Sequence, residues 1–313
     1  MAKRVKKQHY IPQFLLRNFR IPGEELLWIF DKRTSKKFKS AVRDVASERY
    51  YNDAKIGDGY SVSFESRFTM IEDNAAPAFA KLVATEDLGR MTAEEQAAIT
   101  YFLAAQIIRG KAWRASMTQA YELLCEKLGG KERALLAGVP EMNEDDEKIS
   151  TLMNLPKTVE EYAPALVTKT WMLQKTSRRQ PLWIGDEPIV RQNSTPTDGL
   201  TGNTGLASDG IEIYFPITPH LVLALLCPTL TAVIEAGVRY ATSALRELEA
   251  NRLLDAMRNG KPYLLAQGEV TRLNALQVVH ADRFIISCHA DFAQVEKIIR
   301  QRPELSQTPR YVR

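Results

Sequence analysis

Cysteine is scarce in this chain. Three of 313 residues, Cys125, Cys227 and Cys288, stand far apart with no Cys-x-x-Cys pair among them. That pattern argues against a disulfide framework and against a structural zinc site, and it fits the reducing cytoplasm. Long apolar runs are missing too. The longest, Leu221 to Cys227, is seven residues and too short to span a bilayer. The basic start leads into Gln8-His9-Tyr10 rather than an apolar stretch with a cleavage site, so neither a secretory signal nor a membrane partner is expected. No phosphate-binding Gly-x4-Gly-Lys-Ser/Thr loop, Gly-x-Ser-x-Gly elbow, His-Glu-x-x-His pair or kinase motif set occurs, which disfavours those chemistries. Nor does one sign of charge dominate. Forty-two basic against 38 acidic groups give a net charge of +4. Bulk charge therefore does not call for nucleic acid, and any such affinity has to come from a local patch.

What is present is enough apolar residue, 45%, to bury a large core. Phe64, Phe68, Ile71, Ala75, Phe79 and Leu82 recur at steps of three and four, predicting a helix over about 61–84. Thr92-Ala93-Glu94-Glu95 is a capping box opening a longer helix. Its stripe runs through Ile99, Leu103, Gln106, Gly110, Trp113 and Met117 as far as Leu128, where Gly129-Gly130 ends it. A short helix follows over 132–138. Five acids between Glu141 and Glu147 read as a solvated loop, and 148–165 as helix interrupted by Pro156 and Pro164. From about 166 the texture turns to strands: 167–175, 182–184, 211–215, 221–227, 263–266 and 284–288, with a polar loop from Gln192 to Gly210. Ser243 and Asp291 cap two helices in that half. The expected class is α+β, a helical N-terminal half packed on a mostly antiparallel sheet formed mainly by the C-terminal half. It is read as one domain, 1–313, with subregions 1–165 and 166–303. No oligomeric state is specified.

The first twenty residues hold six cations and no carboxylate. Pro12 suits the first turn of a helix and pushes Ile11 to an extended conformation. Leu15, Leu16 and Phe19 then fall on one helical stripe, with His9 just before the start and Arg17 one to two turns in. Two readings stay open. This segment either docks on the core with His9 as a hydrogen-bonded end residue, or it carries an imidazole and a guanidinium into a cleft.

His9-Tyr10-Ile11-Pro12 with Leu16-Arg17-Asn18-Phe19 resembles the opening signature of a bacterial family, domain-of-unknown-function family 4238. Ile71-Glu72, Gln106 with Arg109, Gly185-Asp186-Glu187-Pro188, Phe215-Pro216-Ile217-Thr218-Pro219, Asn274 and Arg283-Phe284-Ile285-Ile286-Ser287 agree with it, over roughly 6–290. The chain has Gly-Asp-Glu-Pro where Ser-Asp-Asn-Pro is the family's pattern. Some members of that kind are implicated in defence against phages, so the resemblance implies a phage-derived trigger.

On the residues themselves, Gln106 interrupts an apolar face. A buried amide costs about 1–3 kcal/mol unless its hydrogen bonds are met, so it bridges elements or lines a polar pocket. Glu65 and Glu72 share a helix face beside a buried stripe. Gly185-Asp186-Glu187-Pro188 is either a hairpin turn or a strand end presenting Asp186. Together these give an expected site: His9, Glu72 and Asp186 as catalytic groups, and Arg17, Gln106 and Arg109 as substrate-binding groups. Phosphodiester cleavage of RNA or DNA, with His9 as general acid or base, is the first expectation. A divalent cation such as magnesium would fall to Glu72 and Asp186. The alternatives are a non-catalytic module recognising a nucleotide, nucleic acid or phage component, and a buried polar network that only fixes the N-terminal segment.

Overall fold

Strand pairing governs the opening of the chain. β1 (Lys7–His9) precedes α1, a single turn (Gln13–Leu16) that tightens to a 3₁₀ turn over Arg17–Phe19. β2 (Leu26–Asp31), β3 (Lys36–Ala41), β4 (Ser47–Arg49), β5 (Asp53–Ile56) and β6 (Tyr60–Ser63) follow. β1 pairs antiparallel with β4, setting His9 opposite Ser47 and Gln8 opposite Glu48. The computed structural model describes residues 6–56, 60–193, 195, 204–240 and 243–307. Of the loop expected between Gln192 and Gly210, position 194 and positions 196–203 lie outside them.

The helices are α2 (Glu65–Thr85), α3 (Ala93–Arg109), α4 (Lys111–Lys127), α5 (Lys131–Leu136), α6 (Glu144–Met153) and α7 (Leu155–Val167). Then come β7 (Thr170–Lys175), β8 (Ile184–Gly185), β9 (Val190–Asn193), β10 (Ile211–Thr218) and β11 (Leu221–Leu226). α8 (Pro228–Arg239), α9 (Ala244–Asn259), β12 (Tyr263–Leu264), α10 (Gln267–His280), β13 (Phe284–Ser287) and α11 (Ala293–Gln301) complete the fold.

The class is α+β, but strands are not confined to the C-terminal half. A five-stranded sheet runs β12-β7-β11-β10-β9, antiparallel except for the β12–β7 pair. All six residues of β11 are buried, as its continuous apolar run demands. The four-stranded sheet, β3-β2-β13-β8, closes the N-terminal hairpin against a strand from the far end of the chain. Residues 185–188 therefore cross from one sheet to the other, so the hairpin-turn reading of that segment is corrected. Pro216 lies in β10 just past its last pairing with β9, where no ladder partner needs the missing N–H.

Several helix boundaries differ from the periodicity. α2 starts at Glu65 because Tyr60–Ser63 pairs with β5. Thr92 and Glu95 do form the capping box of α3, with Glu95 N–H donating to Thr92 Oγ1 at 3.2 Å. That helix then breaks at Gly110 rather than running to Leu128. The acidic stretch is not all loop: Asn143 accepts from Asp146 N–H at 3.0 Å and caps α6.

The core encloses the N-terminal segment. Tyr10, Ile11, Leu15, Leu16 and Phe19 are buried, each such side chain contributing about 1.5–3 kcal/mol. Phe14 meets Phe79 and Phe102, which in turn meet Phe215 of β10, at centroid distances of 5.1–6.0 Å. Asn18 donates to the Ile217 carbonyl at 3.0 Å. These contacts pin the opening segment between α2, α3 and β10.

Candidate functional site

The break at Gly110 organises the polar interior. Arg109, the last residue of α3, is 3% exposed and lies 4.6 Å over the Phe68 ring. Its guanidinium donates to Glu72 and approaches Glu65 at 4.0 Å. Burial raises the Glu72 carboxyl above its ordinary value, and Arg109 opposes that shift. α4 begins one residue later, and its Ala112 N–H donates to Glu187 Oε1 at 2.7 Å. A Cβ on residue 110 would stand 2.3 Å from Glu187 Oε2, so only glycine admits that carboxyl. Burial pushes Glu187 up to about 8; Ala112 N–H opposes the shift and Asp186 adds to it.

Asp186 faces the other way. Its Oδ2 accepts from Arg283 N–H at 2.9 Å and Phe284 N–H at 3.0 Å, while Oδ1 has no partner. Burial, with Asp282 nearby, pushes this carboxyl up to about 6. Around it, Asp31 takes two hydrogen bonds from Arg283, and Asp282 takes two from Arg33. Lys32 is buried and donates to the Val278 and Ala281 carbonyls at 2.8 and 2.5 Å. Burial lowers its amine to about 8.

The opening segment meets this interior through its backbone. Gln106 Nε2 donates to the Tyr10 carbonyl at 2.7 Å, so the amide on the apolar stripe joins α3 to the N-terminal segment. Gln8 is fully buried and holds Asp53 and the Asn52 N–H. His9 ends β1, four residues before α1 begins. Its Nδ1 is 3.5 Å from Gln13 Nε2, and Nε2 has no partner. Burial lowers its pKa, the Val42 and Arg43 backbone opposes that shift, and the charges of Arg109 and Lys7 add to it.

Of the expected residues, then, Arg109 and Glu72 are in contact, Gln106 holds the segment that carries His9, and His9 feels the charge of Arg109. Among the described residues no hydrogen bond or ion pair joins Asp186 to any of these. Arg17 is exposed; its guanidinium donates to Gln13 at 3.4 Å and its carbonyl accepts from Arg20 Nε at 3.0 Å. Glu72 and Asp186, the oxygen ligands expected for a divalent cation, stand in separate networks. Among the described residues no group of three His, Cys, Asp or Glu suits a metal, so no step is derived through one.

A cavity of about 320 Å³ opens on the far side of the Gly110 break, between β4, α4 and α6. Arg49, Lys111, Arg114 and Lys148 line it, with Glu48 and Glu147. Lys111 is 4.7 Å over the Tyr10 ring and pairs with Glu48. Arg114, 9% exposed, stacks 3.8 Å from Tyr51 and donates Nη1 to the Tyr51 carbonyl at 2.9 Å. Its Nε and Nη2 have no hydrogen-bond partner. Glu147 Oε2 accepts from Thr118 at 2.7 Å, whereas Oε1 has no partner. Tyr51 joins both sides of the break, because its hydroxyl donates to the Arg109 carbonyl at 2.8 Å.

A family model described as "Protein of unknown function (DUF4238)" matches residues 7–291. The chain belongs to that family. The match starts at β1 and takes in the opening segment, the Gly110 break, the 185–188 crossover and the whole cavity; it stops short of α11. No curated protein and no solved structure matches significantly.

Sequence reasoning passed over Lys111, Glu147 and Glu187 and gave Arg114 no role. Gly110 was the available signal, since glycine inside an otherwise helical stripe marks a break or a close approach. Nothing local marks Arg114. Its burial depends on Tyr51, which arrives from a distant loop.

Proposed function

We propose that this protein binds a phosphate-bearing ligand, nucleotide or nucleic acid, in the cavity between β4, α4 and α6. One observation carries the reading: Arg114 is buried and stacked, yet two of its N–H-bearing nitrogens are unanswered. Leaving a buried charged donor unpaired costs more than the about 1–3 kcal/mol of a neutral one. A planar guanidinium suits the bidentate hold on a phosphate, and Arg49 and Lys111 add charge to the same wall. Recognition rather than turnover is the role proposed, because Glu72 is engaged by Arg109 and Asp186 by backbone N–H groups. The setting, defence against phages with a phage-derived trigger, rests on the family resemblance and is proposed with it.

The test is fluorescence anisotropy with labelled short RNA and DNA at low and high salt. Binding that weakens with salt and is lost in Arg114→Gln supports the reading; unchanged binding by that variant defeats it. A second reading, phosphodiester cleavage, is favoured by the unpartnered Nε2 of His9, an imidazole whose lowered pKa favours the neutral, proton-accepting form. Incubating the same oligonucleotides with magnesium or EDTA separates the two. Products that vanish in His9→Ala would establish cleavage.

A further inference from the structure

The cavity carries two orphaned groups of opposite kind. Arg114 offers donors without acceptors, and Glu147 Oε1 offers an acceptor without a donor. They do not answer each other: among the described residues no ion pair joins them. Thr118, one turn beyond Arg114 on α4, holds the other oxygen of Glu147 in place. Arg114 and Thr118 are four positions apart on α4, so their side chains leave the same face of the helix, with Cβ atoms about 5–6 Å apart. A ligand that satisfies both groups must present an anion to Arg114 and hydroxyl donors to Glu147.

We propose, on the strength of the phosphate-binding reading above, that the cavity takes a single 5′-phosphorylated ribonucleoside unit. Its phosphate lies on Arg114 and Lys111, and its sugar hydroxyls donate to Glu147 Oε1. Charge agrees with this. Four cations against two carboxylates line the cavity, an excess of positive charge that suits a phosphate. Size agrees as well, since about 320 Å³ is at the small end of ligand pockets and admits one nucleotide rather than a folded strand. The carboxylate at the sugar end also repels a second phosphate, which sets the orientation. A sugar stripped of both hydroxyls leaves Glu147 Oε1 unanswered, and the cavity thereby distinguishes a ribonucleotide from its dideoxy counterpart.

Calorimetric titration of the full chain with adenosine 5′-monophosphate, its 2′,3′-dideoxy counterpart and inorganic phosphate tests this. The ribonucleotide should bind at least about tenfold more tightly than the dideoxynucleotide. Glu147→Ala should remove that difference while inorganic phosphate binds as before, and Arg114→Gln should lose all three. Equal affinity for the two nucleotides, lost in Arg114→Gln, overturns the ribose assignment and leaves phosphate binding standing. Oligonucleotide binding with no mononucleotide or phosphate binding overturns the single-unit assignment alone. Ligand binding indifferent to Arg114→Gln and Arg114→Lys, in variants whose thermal melt matches the parent, overturns both.

Discussion

Arg109 and Arg114 stand five positions apart on either side of Gly110, and their surroundings are alike up to one point. Both are buried, at 3% and 9% exposure, and both stack on an aromatic ring. Arg109 has carboxylates, Glu72 in contact and Glu65 at 4.0 Å. Arg114 has the Tyr51 carbonyl, and among the described residues no carboxylate forms an ion pair with it. A buried guanidinium answered by protein is a structural tie, whereas one left without acceptors beside a cavity is the group proposed above to take an outside anion. Burial and ring stacking are shared, so the position of the carboxylates marks the difference.

The contrast can be broken most forcefully at Glu72. Glu72→Ala takes the contacting acid from a buried arginine and should cost about 3 kcal/mol in denaturant unfolding. Arg114→Gln should cost well under half of that, because it removes an unanswered charge. Equal losses would erase the distinction.

Gly110→Ala comes next. The added methyl meets Glu187 at the start of α4, and overpacking of that kind costs about 1–3 kcal/mol. A variant as stable as the parent would show that Glu187 does not fix the break.

Glu187 also gives a pH signature. Its ordinary value is 4.5 and it is pushed up to about 8, so across that interval the folded chain keeps a proton the unfolded chain has released. The stability it contributes is full below pH 4.5 and is lost as pH rises through about 8. The melting temperature should therefore fall between pH 6 and pH 8.5, and Glu187→Gln should flatten the fall. A melting temperature that rises over the same range contradicts the assignment.

The smallest effect is expected at Arg17. It is exposed, so Arg17→Ala should change stability by less than about 0.5 kcal/mol and leave phosphate binding intact. A loss of binding there would return the opening helix to the site.

Where local chemistry decides, the sequence was legible. Thr92 with Glu95 starts α3, Ser243 starts α9, and the run Leu221–Leu226 forms a buried strand. α10 was missed because its buried side carries amides as well as apolar groups. Asn274 and Gln277 accept from the Trp183 and Gly185 N–H groups and donate to the Pro181 and Pro188 carbonyls, which hides any apolar period. β1 was missed because its partner is β4, some forty residues away. The candidate site divides in the same way. Gln106 was readable as an amide on an apolar stripe, and it does meet a polar partner. Arg114 resembled any cation on a solvated helix flank until Tyr51 covered it.

Titrating inorganic phosphate into the protein, with Arg114→Gln beside it, tests the open-guanidinium claim most directly. Saturable binding by the parent chain and none by the variant is the predicted outcome. Identical isotherms for the two, or none for either at millimolar phosphate, would mean that the unanswered nitrogens of Arg114 hold no place for an anion.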